Sequence, residues 1–407
     1  MVQRRRFMGA VAALMVMALA ATGCGGATES ASPEGGAASS TTVKIGMGLP
    51  LTSGSVAQAE GIERGVQLAL KQANESAEAK ALGIAFEGVA VDDQGDPKTA
   101  VTAANQLVSD TAVLGVVGHL NSGCSIPASK IYNEAKIPMI TPASTNPALT
   151  QQGFNNVFRT CTIDSVQGPI GAEYIAGEMV NAKTAVVVDD STPYGEGLAQ
   201  EFSKRFGELG GKVLFTEKTA DKETDFNALC TKIKAEDPDV VYYGGTYNGG
   251  SILSKQMAAA GVEAPMAGGD ALFDAQFIAI AGEGSEGDMC TSVGLPTDKL
   301  PNGQAFIEAY GVEFAGEEIG AYDAYGYDAA NAIVQAVYAV AKAQGADALQ
   351  SPAGRDAIIA AIAGSDFDGV TGKVAFDELG DTLNKAITLY RVESGEWKPF
   401  IVPTENM

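Results

Sequence analysis

Short apolar runs rich in β-branched residues alternate with longer runs of helical periodicity through almost the whole chain. The first unit places a strand at residues 43–49 before a helix at 62–79, where apolar residues recur at helical spacing. Further strand centres are predicted at residues 84–91, 113–117, 137–140, 184–188, 213–215, 240–243, 266 and 289–293, with helices between them. This alternation is typical of parallel sheets covered by helices on both faces, so the predicted fold class is α/β.

The pattern restarts near residue 184, which predicts two lobes, each Rossmann-like, with its own open sheet. A chain of 407 residues is long enough for two domains of roughly 100–200 residues each. After about residue 295 the pattern becomes more helical, and a final strand pair is predicted at residues 374–376 and 387–392.

The first residues have the pattern of an export signal. Three arginines at residues 4–6 precede an apolar run at 7–21, which is shorter than the roughly 20 residues that span a bilayer. We therefore expect a signal peptide at residues 1–23. Ala21-Thr22-Gly23-Cys24 resembles a bacterial lipobox, which predicts lipidation of Cys24, although an ordinary cleaved signal with an incidental Cys is the alternative. Residues 24–42, rich in Gly, Ala and Ser, then form a flexible tether.

The charge and the cysteine spacing exclude several classes of partner. The formal net charge of −23 disfavours binding to nucleic acid. With no CxxC pair and a single histidine, neither a zinc site nor any other cofactor is expected. Four cysteines remain after the signal peptide, and they allow three disulfide pairings. The preferred pairing keeps each bond within one lobe, and free buried thiols are the alternative; the pairs are Cys124 with Cys161 and Cys230 with Cys290.

Ligands of open α/β sheets bind beyond the carboxyl ends of the strands, so the loops there hold the candidate site. Ser122 begins a helix, where free N–H groups and a hydroxyl suit a carboxylate. Ser144 and Thr145 lie between two prolines that stiffen their loop, and Asp270 places an acid among glycines at a strand end. Together these groups suit the two charged ends of an α-amino acid. The alternative is that the hydroxyls cap helices and the acid solvates a turn.

Several segments resemble, in their order and spacing, the leucine/isoleucine/valine-binding proteins, the type I periplasmic binding proteins of branched-chain amino acid ABC importers. They are Gly118-His119-Leu120 before Ser122, Ile140-Thr141-Pro142-Ala143-Ser144-Thr145, Arg159-Thr160 with Gln167-Gly168-Pro169, Tyr194-Gly195-Glu196-Gly197 and Tyr242-Tyr243-Gly244-Gly245. The resemblance covers about residues 43–392. It implies a binding protein without catalytic residues that captures a small amino acid, or an analogue, in the cleft between its lobes.

The resemblance also implies roles for individual residues. Ser122 and Thr145 match residues that hold the ligand carboxylate. The carbonyl of Ala143, with the Thr145 hydroxyl, would take the ammonium, and Asp270 falls where the family places an acid to pair with it. Tyr194 matches a tyrosine that the second lobe contributes.

Two positions depart from the family pattern around the ligand side chain. Ala59 stands where an aromatic wall is common, and Thr246 stands where another tyrosine is usual, with Tyr247 beside it. Both changes widen or repolarise the pocket, so a branched-chain amino acid is only the default ligand. Gly95 and Asn121 occupy the two positions of the family's first disulfide.

The family architecture implies a first lobe of residues 43–163 and 294–388 and a second lobe of residues 164–293 and 389–407. The chain would cross between them at a hinge three times, near Thr162, Gly294 and Thr388. The protein is expected outside the cytoplasm as a monomer, held to the cell membrane by its lipid, with an ABC permease as its protein partner.

Two other functional classes fit the sequence less well. An enzyme is disfavoured because the chain lacks a Walker A loop, a dinucleotide fingerprint, H-E-x-x-H and G-x-S-x-G. His119 is interpreted as a structural histidine. A binding protein or sensor for short amides, urea or another amino-acid-like solute is the alternative, and a sensor would lack the export signal or carry a transmembrane span.

Overall fold

The computed structural model describes residues 40–401, apart from the side chains of residues 178 and 179. The predicted signal peptide, Cys24 and almost all of the predicted tether lie outside the described residues. No helix in the described range has the length and apolar character needed to cross a bilayer.

The elements alternate as the sequence pattern predicts. The strands are β1 (Thr41–Leu49), β2 (Ile84–Asp92), β3 (Val113–Gly118), β4 (Met139–Thr141), β5 (Val157–Arg159), β6 (Thr184–Asp189), β7 (Lys212–Lys218), β8 (Val240–Gly244), β9 (Met266–Gly268), β10 (Met289–Val293), β11 (Asp366–Asp368), β12 (Lys373–Ala375), β13 (Ile387–Glu393) and β14 (Glu396–Ile401). The helices are α1 (Val56–Glu75), α2 (Ala77–Leu82), α3 (Pro97–Ser109), α4 (Ser122–Glu134), α5 (Asp164–Tyr174), α6 (Pro193–Glu208), α7 (Asn227–Glu236), α8 (Tyr247–Ala260), α9 (Ala275–Ala281), α10 (Gly303–Glu313), α11 (Asp323–Gln344) and α12 (Pro352–Ala363).

The first lobe is built on a five-stranded sheet in the order β2-β1-β3-β4-β5, with every neighbouring pair parallel. Residues of α1, α11 and α12 form the core on one face, and residues of α3 and α4 form the core on the other. Covered on both sides, β3 is buried at every position, which explains its continuous apolar sequence.

The second lobe is built on a seven-stranded sheet in the order β14-β13-β10-β9-β8-β6-β7. Strands β6 to β10 are parallel, whereas β13 and β14 pair antiparallel at one edge. Helices α7, α8 and α9 contribute to the core on one face, and α5 and α6 contribute to the core on the other.

The chain passes between the two sheets three times. It leaves the first sheet after β5, leaves the second after β10 to form α10, α11 and α12 on the first lobe, and joins the second sheet again at β13. The predicted α/β fold of two lobes is confirmed. The boundaries assigned to the lobes from the sequence stay predictions.

Three expectations about local structure need correction. Strands β12 and β13 do not pair with each other, because β12 forms a separate ribbon with β11 while β13 pairs with β10 and β14. Strand β1 begins two residues earlier than predicted, since Thr41 and Thr42 pair with β2 instead of extending the tether. The predicted disulfides are also absent from the part of the chain that the structure describes.

All four cysteines of the described range are free and buried, so the preferred pairing was wrong and the alternative of buried thiols holds; they are Cys124, Cys161, Cys230 and Cys290. Each fills core space as a small apolar side chain. Cys230 and Cys290 belong to one core of the second lobe, and Cys161 belongs to the main core of the first.

Candidate ligand-binding site

The candidate residues converge where the carboxyl ends of the two parallel sheets face each other. The loops after β3 and β4 come from the first lobe, and the loops after β6, β8 and β9 come from the second. Each loop follows a buried strand, so its first residues emerge at a fixed edge of the sheet. This is the edge at which open α/β sheets bind ligands.

The loop after β3 places Ser122 at the first position of α4. Ser122 is buried, and its hydroxyl accepts a hydrogen bond from the backbone N–H of Asn146 at 3.3 Å. The preceding residue, Asn121, does not cap the helix with its side chain. The first turn of α4 therefore keeps N–H groups without a side-chain cap, in a place suited to an anion.

A buried arginine fixes the loop after β4. The two terminal nitrogens of Arg159 donate to the carbonyls of Ser144 and Asn146 at 2.7 and 3.1 Å and to the Thr150 hydroxyl at 2.8 Å. Its Nε lies 2.6 Å from a carboxylate oxygen of Asp381. Arg159 is fully buried, so these contacts hold the loop at low dielectric and set its backbone before any ligand arrives.

The predicted hydroxyls of this loop do not all reach the same place. The Ser144 hydroxyl turns into the first lobe, where it donates to the Leu120 carbonyl at 2.9 Å and lies 2.6 Å from the Ser125 hydroxyl. Ser144 therefore supports the loop, and its hydroxyl is not brought to the ligand side. The Thr145 hydroxyl is fully buried beside the carboxyl of Asp164, at the start of α5 in the second lobe.

In the second lobe, several polar side chains donate hydrogen bonds to Asp270. Its carboxylate is fully buried and accepts hydrogen bonds from Gln167 at 2.8 Å, Tyr194 at 2.9 Å and Tyr322 at 2.6 Å. Tyr322 precedes α11 of the first lobe, so one of the three donors reaches across from the opposite lobe. Three donors stabilise the ionised form, but burial acts more strongly and raises the pKa of Asp270.

The sequence around Tyr194 explains its position. Thr192 caps α6 by accepting from the Gly195 N–H at 3.0 Å, and Pro193 occupies the first turn. The side chain of Tyr194 then reaches the strand end after β9. A Cβ at Gly269 would lie 2.5 Å from the tyrosine oxygen, so only glycine allows this approach.

A second carboxyl lies behind the first. Gln167 donates to Asp164 at 3.4 Å as well as to Asp270, and one oxygen of Asp164 has no hydrogen-bond partner among the described residues. Burial, followed by repulsion from Asp270, raises the pKa of Asp164 to about 8. The two acids therefore share a site in which full ionisation of both is unfavourable.

A small cavity of about 20 Å³ lies between the lobes at this point. Its wall includes Asn121, Ser122, Ala143 and Tyr322 from the first lobe and Tyr194 and Thr246 from the second. This central cavity has room for little more than one water molecule. Four of the seven predicted ligand-binding residues line it. Asp270 is hydrogen-bonded to two of the lining residues, Tyr194 and Tyr322. Ser144 and Thr145 are not among the lining residues.

Sequence reasoning missed four residues as parts of the site: Tyr322, Asp164, Gln167 and Arg159. Gln167 and Arg159 stood within segments that carry the family resemblance, so a signal for them was present. Tyr322 had no such signal, because it reaches Asp270 only through the return of the chain to the first lobe.

His119 lies behind the site and has no free ring nitrogen. Its Nδ1 lies 2.6 Å from Asp93 and its Nε2 lies 3.0 Å from the Tyr132 hydroxyl, and all three side chains are buried. This arrangement agrees with a structural role in the first lobe.

Comparisons with known proteins agree with the family resemblance found in the sequence. A family model described as periplasmic binding protein matches residues 42–396. Leu/Ile/Val-binding protein homolog 1 of Brucella abortus is 36% identical over 356 residues, which cover 87% of this chain and 91% of the relative. A leucine-, isoleucine-, valine-, threonine- and alanine-binding protein of Pseudomonas aeruginosa is 35% identical over 367 residues, covering 89% and 92%.

Among solved structures, a leucine-binding protein from Thermotoga maritima matches with a TM-score of 0.79 and 30% sequence identity, covering 88% of this chain and 98% of that one. These relatives are solute-binding proteins and not enzymes. The resemblance found in the sequence is therefore confirmed: this chain belongs to the periplasmic binding protein family, and its relatives there include leucine/isoleucine/valine-binding proteins.

Proposed function

We propose that this protein is the exported, lipid-anchored binding component of an ABC importer and that it captures a small α-amino acid between its lobes. The buried carboxylate of Asp270, which accepts hydrogen bonds from both lobes beside the central cavity, is the observation that supports an amino acid as the ligand. A branched-chain amino acid is the default ligand, because relatives carry leucine, isoleucine and valine in their names.

The ligand carboxylate would bind to the first lobe, and the ammonium would bind between the two lobes. The ligand carboxylate is assigned to the hydroxyls of Ser122 and Thr145 and to the first turn of α4, where the helix dipole favours an anion. The ligand ammonium is assigned to Asp270 and to the Ala143 carbonyl. Each charged hydrogen bond contributes roughly 1.5–3 kcal/mol at such a site.

Opening of the lobes is required by the size of the central cavity. About 20 Å³ does not hold an amino acid, so the ligand enters only when the lobes separate. Separation would break the contact of Tyr322 with Asp270 and the hydrogen bond from Asn146 to the Pro193 carbonyl at 2.6 Å. Closure around the ligand would then bury its charges, and the closed form would dock on the permease.

Calorimetric titration of the purified protein with the twenty amino acids and their N-acetyl derivatives tests the binding function. We expect at least one free amino acid to bind and its N-acetyl form, which lacks the ammonium, to bind at least tenfold more weakly. Equal affinities for the two forms would overturn the assignment to Asp270. Absence of binding by every amino acid, with short amides or urea binding instead, would replace the ligand class.

Membrane anchoring is tested separately in a bacterial host that lipidates lipoproteins. We expect the unaltered protein in the membrane fraction and Cys24→Ala in the soluble fraction. Ser30→Ala, a change six residues further along the predicted tether, is the control and should stay with the membrane. Retention of Cys24→Ala in the membrane would contradict lipidation.

A further inference from the structure

A second cavity of about 230 Å³, here called the side cavity, lies beside the central one. Asn121 and Thr246 line both cavities, so the two adjoin at these residues. Ser55 of the first lobe and Asp221 and Lys222 of the second also line the side cavity. A ligand whose charged ends occupy the central cavity would project its side chain past Asn121 and Thr246 into this space.

Two of the residues that line the side cavity have buried polar atoms without partners among the described residues. Ser55 is 1% exposed, and its hydroxyl makes no hydrogen bond to the described residues. It precedes α1 but does not cap it. The side-chain oxygen of Asn121 is likewise buried without a partner, and the Thr246 side chain does not cap α8. Buried hydroxyls and amides normally find partners, so these atoms point to a ligand that supplies them.

We infer that the side cavity is the subsite for the ligand's side chain and that it favours an α-amino acid with an uncharged polar side chain, bearing a hydroxyl or an amide. This inference rests on the proposed function, because the ammonium and carboxylate contacts in the central cavity fix which way the side chain points.

Charged residues of both signs line the side cavity: Asp221, Glu223 and Lys222. An acidic ligand side chain would lie beside Asp221 and Glu223, and a basic one would lie beside Lys222, whose ammonium donates to the Ser53 hydroxyl at 3.3 Å across the lobes. Placing like charges side by side is unfavourable once the lobes close. An apolar side chain avoids this repulsion but leaves Ser55 and Asn121 without partners when the lobes close. A site built from hydrogen-bonding groups rejects ligands that lack them.

Pairs of amino acids with nearly the same shape isolate this effect. Threonine matches valine, and asparagine matches leucine, so each pair differs mainly in hydrogen-bonding capacity. We expect calorimetric titration of the purified protein to show the polar member of at least one pair bound about tenfold more tightly, or better.

Two variants locate the preference. Asn121→Leu and Ser55→Ala should each reduce the polar-over-apolar affinity ratio by about tenfold. Asn105→Leu, at an exposed position of α3, should leave the ratio unchanged. Circular dichroism shows whether each variant is folded, and Ser55→Ala decides the question should Asn121→Leu fail to fold.

Valine and leucine binding more tightly than threonine and asparagine would overturn this inference and leave the proposed function standing. A preference for polar ligands that neither folded variant alters would overturn it too, because the selecting groups would lie elsewhere. Failure of all four amino acids and of every other amino acid to bind would overturn the proposed function as well.

Discussion

The two lobes present opposite kinds of chemistry to the same cavity. The first lobe offers hydroxyls and backbone groups, and contacts from the buried Arg159 hold its loop after β4 in place. The second lobe offers carboxyl groups, Asp270 and Asp164, that are buried close together. One side is therefore organised by its own contacts, whereas on the other side burial opposes the ionisation of two neighbouring carboxyl groups.

This difference assigns different tasks to the lobes. Changes in the first lobe should act mainly on folding and on the shape of the site, because the loop geometry depends on its internal contacts. Changes to the carboxyl groups should act mainly on ligand affinity and on pH dependence. The free-energy cost of burying a carboxylate is offset when a group of opposite charge, such as the ligand ammonium, binds to it. The predictions below test this division from the largest expected effect to the smallest.

Removal of the arginine should have the largest effect on stability. Arg159→Met leaves Asp381 and two carbonyls buried without their partner, and we expect a loss of about 3–5 kcal/mol in the free energy of unfolding. Chemical denaturation measures it. Arg205→Met, which breaks partly exposed ion pairs with Glu173 and Glu208, should cost about 1 kcal/mol or less. Equal losses in the two variants would show that the Arg159 network does not hold the first lobe together.

Removal of the charge of Asp270 should have the largest effect on ligand binding. Asp270→Asn keeps the size of the side chain but removes its charge, and we expect the free energy of amino acid binding to weaken by about 2–5 kcal/mol. Asp237→Asn, an exposed residue of the same lobe in a left-handed conformation that asparagine tolerates, is the matched control. Calorimetry on both variants measures the change. Unaltered affinity in Asp270→Asn would remove the ammonium from this carboxylate.

The second carboxyl should give the ligand-free protein a distinctive pH dependence. The pKa of Asp164 is raised from 3.8 to about 8 in the folded protein, so folding favours its protonated form. Its contribution to stability is complete below the unfolded pKa and is lost as the pH rises toward about 8. The stability of the unaltered protein minus that of Asp164→Asn should fall by up to about 1.4 kcal/mol per pH unit within this window. Parallel denaturation curves from about pH 4 to about pH 9 would contradict the raised pKa.

The contact between the lobes should have the smallest effect. Tyr322→Phe removes one of three donors to Asp270, and we expect about 1 kcal/mol of change in stability or in ligand affinity. Tyr327→Phe, five residues further along the chain in α11, loses a hydrogen bond to Gln72 within the first lobe and serves as the control. A change in ligand affinity for Tyr327→Phe but none for Tyr322→Phe would show that the interlobe contact is unimportant for the site.

Most of the fold could be predicted from the sequence, because alternating strands and helices each have their own local period of apolar residues. The pairing of the last strands could not be predicted from the sequence. The residues of β13 predict a strand, but its pairing with β10 depends on the return of the chain to the second lobe. The prediction of disulfides was wrong for a similar reason. Their number suggests bonds, but only the packed cores show that each thiol fills its own space.

The positions of Ser122 and Asp270 around the central cavity could be predicted, because each residue follows the end of a strand. It was not predictable where a distant contact decides the direction of a side chain. The Ser144 hydroxyl looked like a ligand contact, but Ser125 and the Leu120 carbonyl draw it into the lobe. Tyr322 reaches Asp270 from 52 positions further along the chain, and no local pattern marks it.

A crystal structure of the protein with its tightest-binding amino acid would test the division between the lobes most directly. We predict that the ligand ammonium lies within about 3.2 Å of the Asp270 carboxylate and that the ligand carboxylate contacts Ser122 at the first turn of α4. A ligand bound outside the lobe interface, or one whose ammonium faces away from Asp270, would contradict the account.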